Sequence, residues 1–331
     1  MGVGYSDQFA IQNKSCKEVE LYYDDYQVSK SQINKLSKEL GVCVHLESLN
    51  LSFASNGFSD SKLKALGQGI SKCKNLSVLS LNLAFNLISD EGICIFSEGI
   101  SQLDYLKVVD LVFYTNSISD FGASRLVESL ARCSQLNALS LKLQYNKIGS
   151  QGVIDLFKAL VKCQKLYSLN INLNFNQIQD EGLQNSSQYI AQIKNITQFQ
   201  FQLQSNKIKN LGSLKLGEAI SILPKIQILD LDLQNNYIGD SGVIALSDQL
   251  SKNKKIKHIR LNFGQTHIYS KGIAKIGEYF SKCQNMKSIN LFMVFNYIEF
   301  PEAYNLIQSL SQSLYINSIT LHLQQYQNQL Y

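Results

Sequence analysis

An asparagine returns every thirty residues along most of this chain, at Asn56, Asn86, Asn116, Asn146, Asn176, Asn206 and Asn236. The series continues in the same phase as Thr266, Asn296 and Tyr326. A fixed period of this length marks a stacked architecture, in which each repeat is one supersecondary unit that cannot bury its apolar face alone. It overrides the two-domain prior that 331 residues would otherwise carry.

The same frame surrounds each anchor. Ten residues before it stands an apolar residue, as in Leu46, Leu76, Leu106, Leu136, Leu166, Ile196 and Ile226. Three alternating apolar positions follow, such as Leu79/Leu81/Leu83 or Ile319/Leu321/Leu323, and predict a strand with one buried face. Two residues after the anchor is Ile or Phe in nine successive units, from Phe58 to Ile298. Two further on comes Asp60, Asp90, Asp120, Ser150, Asp180, Asn210, Asp240 or Ser270, read as a helix cap accepting from first-turn N–H groups. Glycine follows in seven units, from Gly92 to Gly272, and then apolar residues at helical spacing, such as Leu246 and Leu250. Each unit therefore reads strand, turn, capped helix, turn. Stacking such units gives an α/β solenoid, with a parallel sheet inside and a row of helices outside.

The stretch LSVLSLNLAFNLISDEG (Leu76–Gly92) resembles the frame of the leucine-rich repeat superfamily, and the helix in each unit resembles its ribonuclease-inhibitor-like branch. The resemblance implies a horseshoe of about ten repeats, with the parallel sheet on the concave face and helices on the convex face. One departure is systematic. This chain reads LxxLxLxLxxN, with two extra residues and one more inward side chain, so the strand segment should be longer or bulged. Its Asn/Gln/Ile/Lys/Tyr-rich composition is similar to that of leucine-rich repeat proteins of ciliated protists. Residues 1–15 read as an N-terminal tail, 16–40 as a degenerate first repeat or cap, and 41–331 as a single solenoid. Cys16, Val19, Leu21, Tyr23 and Tyr26 are in phase in the cap, but its Asn is missing. After Leu323 the chain runs into QQYQNQLY with no closing helix. The final strand edge is then either covered by another subunit or frayed.

Composition excludes several classes. Two Pro, 19 Gly and 45% hydrophobic residues do not describe a disordered chain. No apolar run reaches the ~18–20 residues of a membrane helix, and no secretory signal opens the chain. A cytoplasmic, reducing setting is expected, so the seven Cys are read as thiols. Cys43, Cys73, Cys133, Cys163 and Cys283 stand thirteen residues before an anchor and form a column without any CxxC. Small buried side chains at helix ends explain them better than a metal site. The opening MGVGYS carries the Gly2/Ser6 pattern of N-myristoylation but no basic second signal. The net charge of +5 lies wholly in residues 201–331 and is too mild for a nucleic-acid protein.

No catalytic residue, cofactor or metal is expected. The chain has no phosphate-cradling GxxxxGK[ST], no GxSxG and no HExxH, and its four His are scattered over different units. The anchor Asn column reads as structural, satisfying backbone groups at the bend after each strand. Candidate binding residues face out from the strands: Asp110, Tyr114, Lys142, Asn170, Asn172, Gln200, Gln202, Asp230, Asp232, Arg260 and Phe292. This neutral, amide-rich face is either merely solvated or a polar docking surface for an extended partner segment. Lys252, Lys254, Lys255 and Lys257 crowd a helix-to-strand turn on one rim. They read as a solvated loop or as a contact for an acidic protein or polyanion. Without interleaved aromatics they do not predict nucleic-acid binding. The expected function is a non-catalytic protein–protein interaction scaffold. The resemblance implies, in addition, structural subunits of cilia, Ran-type GTPase activators or enzyme inhibitors.

Overall fold

The computed structural model describes residue 11 and residues 13–323. Gly2, Ser6 and the segment after Leu323 lie outside the described residues. Two compact units are present, Met1–Ile148 with Lys162–Leu166, and Gly149–Val161 with Tyr167–Tyr331. The first holds β1 (Glu18–Tyr22), α1 (Lys30–Leu40), β2 (Ser48–Ser52), α2 (Asp60–Ile70), β3 (Val78–Asn82), α3 (Asp90–Ile100), β4 (Val108–Val112), α4 (Asp120–Leu130) and β5 (Ala138–Lys142). The second opens with α5 (Ser150–Leu160), β6 (Ser168–Asn172), α6 (Gln179–Ile190), β7 (Gln198–Gln202) and α7 (Asn210–Ser221). It continues with β8 (Ile228–Asp232), α8 (Gly239–Ser251), β9 (His258–Asn262), α9 (Ser270–Ser281), β10 (Ser288–Phe292), α10 (Phe300–Ser311) and β11 (Ser318–His322).

Within each unit every strand pairs in parallel with its sequence neighbour, in a register that matches residues thirty apart. Leu49 lies beside Leu79 in the first unit, and Phe199 beside Leu229 in the second. The inward residues Leu79, Leu81 and Leu83 are fully buried, while Ser80 and Asn82 between them are half-exposed on the other face. The two residues added to the usual frame lengthen the ladder instead of bulging it. Past the end of β3, the Leu83 amide still donates to Val112 O (2.7 Å) and that of Phe85 to Tyr114 O (3.0 Å).

The ladder ends in an enforced bend. The residue before the anchor, from Ser55 to Phe295, is non-glycine yet sits at φ between 53° and 57° in each of the nine repeats whose anchor position is among the described residues. Such a left-handed conformation costs L-residues free energy and needs compensation. The anchor supplies it. Asn86 Nδ2 donates to the carbonyls of Phe53, Leu83 and Ala84 at 2.9–3.0 Å. Its Oδ1 accepts from the amides of Asn56 (3.0 Å) and Phe58 (2.8 Å) in the preceding repeat. One buried amide thereby satisfies five backbone groups that the turn would leave orphaned.

The acidic residues expected to cap the helices do something else. Ser59, Ser89 and Ser119 hold the cap positions, and Asp60, Asp90 and Asp120 are the first helical residues. The Asp60 carboxylate accepts from the next repeat's Ser89, from its amide (2.8 Å) and its hydroxyl (2.6 Å). Asp180 accepts likewise from the Lys209 amide (2.6 Å), and Asp240 from that of Tyr269 (2.8 Å). At the first helical position a carboxylate still meets the positive helix end. It points along the stack, however, and ties one repeat to the next. This explains Gly92, Gly122, Gly212 and Gly272, whereas Gly182 and Gly242 are crowded instead by apolar side chains and by Ser150 or Asn210 of the preceding repeat. A Cβ at Gly272 would lie 2.4 Å from Asp240 Oδ1, and one at Gly92 2.3 Å from Asp60 Oδ1. Glycine leaves room for the preceding repeat's carboxylate.

The degenerate first repeat has no anchor of its own, and Asn56 of the next repeat donates from Nδ2 to its Tyr23 O at 2.6 Å. Asp24 Oδ1 accepts from Ser52 Oγ (2.6 Å) and the Ala54 amide (2.7 Å), and α1 carries a capping box between Ser29 and Gln32. Ile33, Leu36 and Leu40 of α1 are fully buried. At the other end Ile319 and Leu321 of β11 are half-exposed, whereas Ile289 and Leu291, thirty residues earlier, are buried.

Candidate functional site

All eleven candidate residues on the strands are half-buried on the face opposite the helices. In the second unit the fold gathers three of them into one cluster across four adjacent strands. Arg260 on β9 donates from Nη1 to Asp230 Oδ1 on β8 at 2.9 Å. Its guanidinium lies 4.4 Å from the ring centre of Phe292 on β10. That ring stacks on His322 of β11, with centroids 4.1 Å apart and planes 5° from parallel. The carboxylate and the ring together hold the arginine's planar fork in one orientation. Beside the cluster, burial pushes the Asp232 carboxyl above its ordinary range, while the Gln234 amide and Asn262 favour its ionised form.

The amides of the same sheet pair with one another. Asn172 Nδ2 donates to Gln202 Oε1 at 2.5 Å, and Asn174 Oδ1 accepts from the Gln204 amide at 2.7 Å. Asn170 and Gln200 are neighbours in register. The simple alternation breaks at Asn262 and Gly264, which are buried instead of facing solvent. In the first unit Tyr114 packs edge-on against the Phe85 ring (4.8 Å), Asp110 lies beside Ser140 in register, and Lys142 lies beside Val112. These three form no shared network.

On the rim the loop from α8 to β9 carries the four predicted lysines. Lys252 is tied to Asp248 (2.7 Å) and Lys257 to Gln227 Oε1 (3.2 Å), while Lys254 and Lys255 are exposed. Two features escaped the sequence reading. Lys282 and Lys287 stand on the following loop, between α9 and β10. On the opposite turns Tyr237, His267 and Tyr297 recur thirty residues apart, next to the anchors. Their rings form an exposed row at 6.1 and 6.4 Å, and Tyr269 stacks on Tyr297 at 4.8 Å. The thirty-residue recurrence was the available signal in that case.

The thiol column closes helix ends. Cys73 Sγ donates to Leu40 O of the preceding repeat (3.4 Å), and Cys283 Sγ to Ser251 O (3.7 Å). Burial pushes the thiols of Cys73 and Cys163 up to about 12 and those of Cys133 and Cys283 to about 11. Among the described residues no group of three His, Cys, Asp or Glu is placed to hold a metal, and no helix is long and apolar enough to cross a membrane.

Four stretches of the chain, residues 74–93, 139–157, 162–185 and 228–247, match the profile of the family described as Leucine Rich repeat. These four stretches match as leucine-rich repeats. The fold is that of a leucine-rich repeat solenoid, α/β with parallel strands in sequence order and about ten repeats. Among solved structures, an internalin (InlF) from Listeria monocytogenes is similar at 17% identity, over 88% of each chain, with a TM-score of 0.42. The structure of the Rad7 and Elc1 complex in yeast is similar at 14% identity, over 96% of this chain and 79% of that one, with a TM-score of 0.46. No curated protein matches the sequence.

Proposed function

We propose that this leucine-rich repeat chain is a non-catalytic scaffold that binds protein partners through the open face of its sheet, as a structural subunit of a larger assembly. The observation that carries the reading is the Asp230–Arg260–Phe292–His322 cluster. Arginine and aromatic side chains dominate binding hot spots, and here they are already fixed in place, which lowers the entropy cost of docking. A second contact is proposed at β11. There a cavity of about 440 Å³ is lined by Met293, Ile298, Phe300, Tyr304, Ile307 and Leu323, and Phe300 is 79% exposed. A partner strand on this edge would cover it. The ribonuclease-inhibitor-like kinship and a cytoplasmic, ciliary location are the finer form of the same proposal.

The test is native size fractionation of the tagged endogenous chain, with mass spectrometry of its companions, repeated with R260A/F292A. Comigration with a fixed set of proteins, lost in the variant while its circular dichroism is unchanged, supports the reading. Elution as a free monomer overturns it, and a small-GTPase stimulation assay would then come first. Companions that survive R260A/F292A would remove the sheet face as the docking surface.

A further inference from the structure

We infer that the two consecutive rim loops 251–257 and 281–287 form a docking site for an extended acidic segment of a partner protein. This surface is distinct from the sheet face. Together the loops hold six Lys and no Asp or Glu: Lys252, Lys254, Lys255, Lys257, Lys282 and Lys287. In the fold they are successive helix-to-strand turns, α8 to β9 and α9 to β10, whose strands are hydrogen-bonded neighbours. Between them lies a cavity of about 240 Å³ with Lys254 and Lys282 on its wall and Ile256 and Met286 among its lining residues.

The site is braced. Position 253 belongs to the thiol column, but it is occupied by an asparagine that is only 8% exposed. Asn253 Nδ2 donates to Ile220 O (2.9 Å) and Leu223 O (3.1 Å) of the preceding repeat, while its Oδ1 accepts from the Lys255 amide (2.8 Å). From the other side Asn285 Nδ2 donates to Lys254 O at 2.5 Å. An amide makes these bonds more strongly than a thiol would. The backbone that presents Lys254 and Lys255 is therefore clamped from both neighbouring repeats.

Of the six lysines, Lys252 and Lys282 are already paired, with Asp248 and Glu278. Lys254, Lys255 and Lys287 are exposed and make no ion pair, so they are the ones available to a ligand. An extended chain places every second side chain on one face, ~6.6–6.8 Å apart, so alternate Asp or Glu residues can address lysines on both loops. Such complementarity acts mainly through steering and register, and it is screened by salt. A stacked nucleic acid would need aromatic platforms. Neither rim loop contains an aromatic residue, and the exposed row Tyr237, His267 and Tyr297 lies on the strand-to-helix turns.

The experiment is fluorescence anisotropy with the full chain and a fluorescein-labelled twelve-residue peptide of alternating Glu and Ser, from 50 to 300 mM NaCl. Saturable binding is expected, weakened by roughly tenfold or more across that salt range. K254E/K255E should abolish it, whereas K64E/K271E, which changes as many exposed lysines elsewhere, should leave it within about twofold. Equal affinity for both variants overturns the site. Inorganic polyphosphate of matched charge separates the sources: binding of polyphosphate without the peptide makes this a polyanion surface and overturns the peptide reading. Each of these outcomes leaves the sheet-face proposal standing, since R260A/F292A tests that surface separately.

Discussion

If the Asp–Gly pairing of successive repeats holds the stack together, Asp240 and Gly272 must be coupled energetically. Replacing Gly272 by Ala puts a Cβ 2.4 Å from Asp240 Oδ1, about 1 Å inside van der Waals contact, with the Ile268 and Val243 methyls at 3.0 Å. The carboxylate must swing away and release the Tyr269 amide. Losing a partly solvated charge-assisted hydrogen bond costs about 1–2 kcal/mol, and residual crowding adds about 1–2. Helix propensity returns up to about 1 kcal/mol, so G272A should destabilise by about 1–3 kcal/mol. D240A alone loses the hydrogen bond and the helix-end charge, about 1–2 kcal/mol. In the double variant the bond is lost once, the carboxylate is no longer in the way and the propensity gain remains. D240A/G272A should then cost no more than about 1 kcal/mol, a coupling of about 2 kcal/mol or more. Urea unfolding followed by circular dichroism measures all four corners of the cycle. Additivity within about 0.5 kcal/mol would refute the pairing and return the glycines to a purely conformational role.

Three further outcomes are expected. N86A should destabilise by about 3–5 kcal/mol in urea, because it orphans several buried backbone groups, whereas T266N should stabilise by about 1 kcal/mol by restoring the ladder at its one Thr. A β-branched residue is strained at the Thr115 φ of 55°, so T115N should raise the urea midpoint by the equivalent of about 0.5–1 kcal/mol. The thiols of Cys73, Cys133, Cys163 and Cys283 sit at about 11 to 12 in the fold against an ordinary 9, so they resist ionisation when folded. Their contribution is complete below pH 9 and lost as the pH climbs from 9 toward 12, so Tm should fall over that interval, and fall less in a variant carrying Ala at all four positions.

What the sequence by itself determined was the frame of the repeat. The period, the inward triplets and the anchor Asn are each imposed by a local need, a pleated strand with one buried face or a bend with unpaired amides, so they recur in one-dimensional form. The strand register also followed, because stacking identical units puts residue i beside residue i+30. Contacts between repeats were less legible. Asp60, Asp90, Asp180 and Asp240 read as caps of their own helices, since a sequence window sees only the nearest N–H groups. The structure instead aims them at the next repeat, and Gly92 or Gly272 makes sense only with that neighbour in place. The candidate site divides in the same way. The outward column was readable from alternation, including Asp230, Arg260 and Phe292. That these three converge with His322, while Asp110, Tyr114 and Lys142 do not, was decided by side-chain reach across strands. Likewise Lys282 and Lys287 joined the rim only once two loops thirty residues apart were laid side by side. A period records which environment a residue occupies. Only the packed fold decides which side chains share it, because sharing depends on distances between repeats that no single repeat contains.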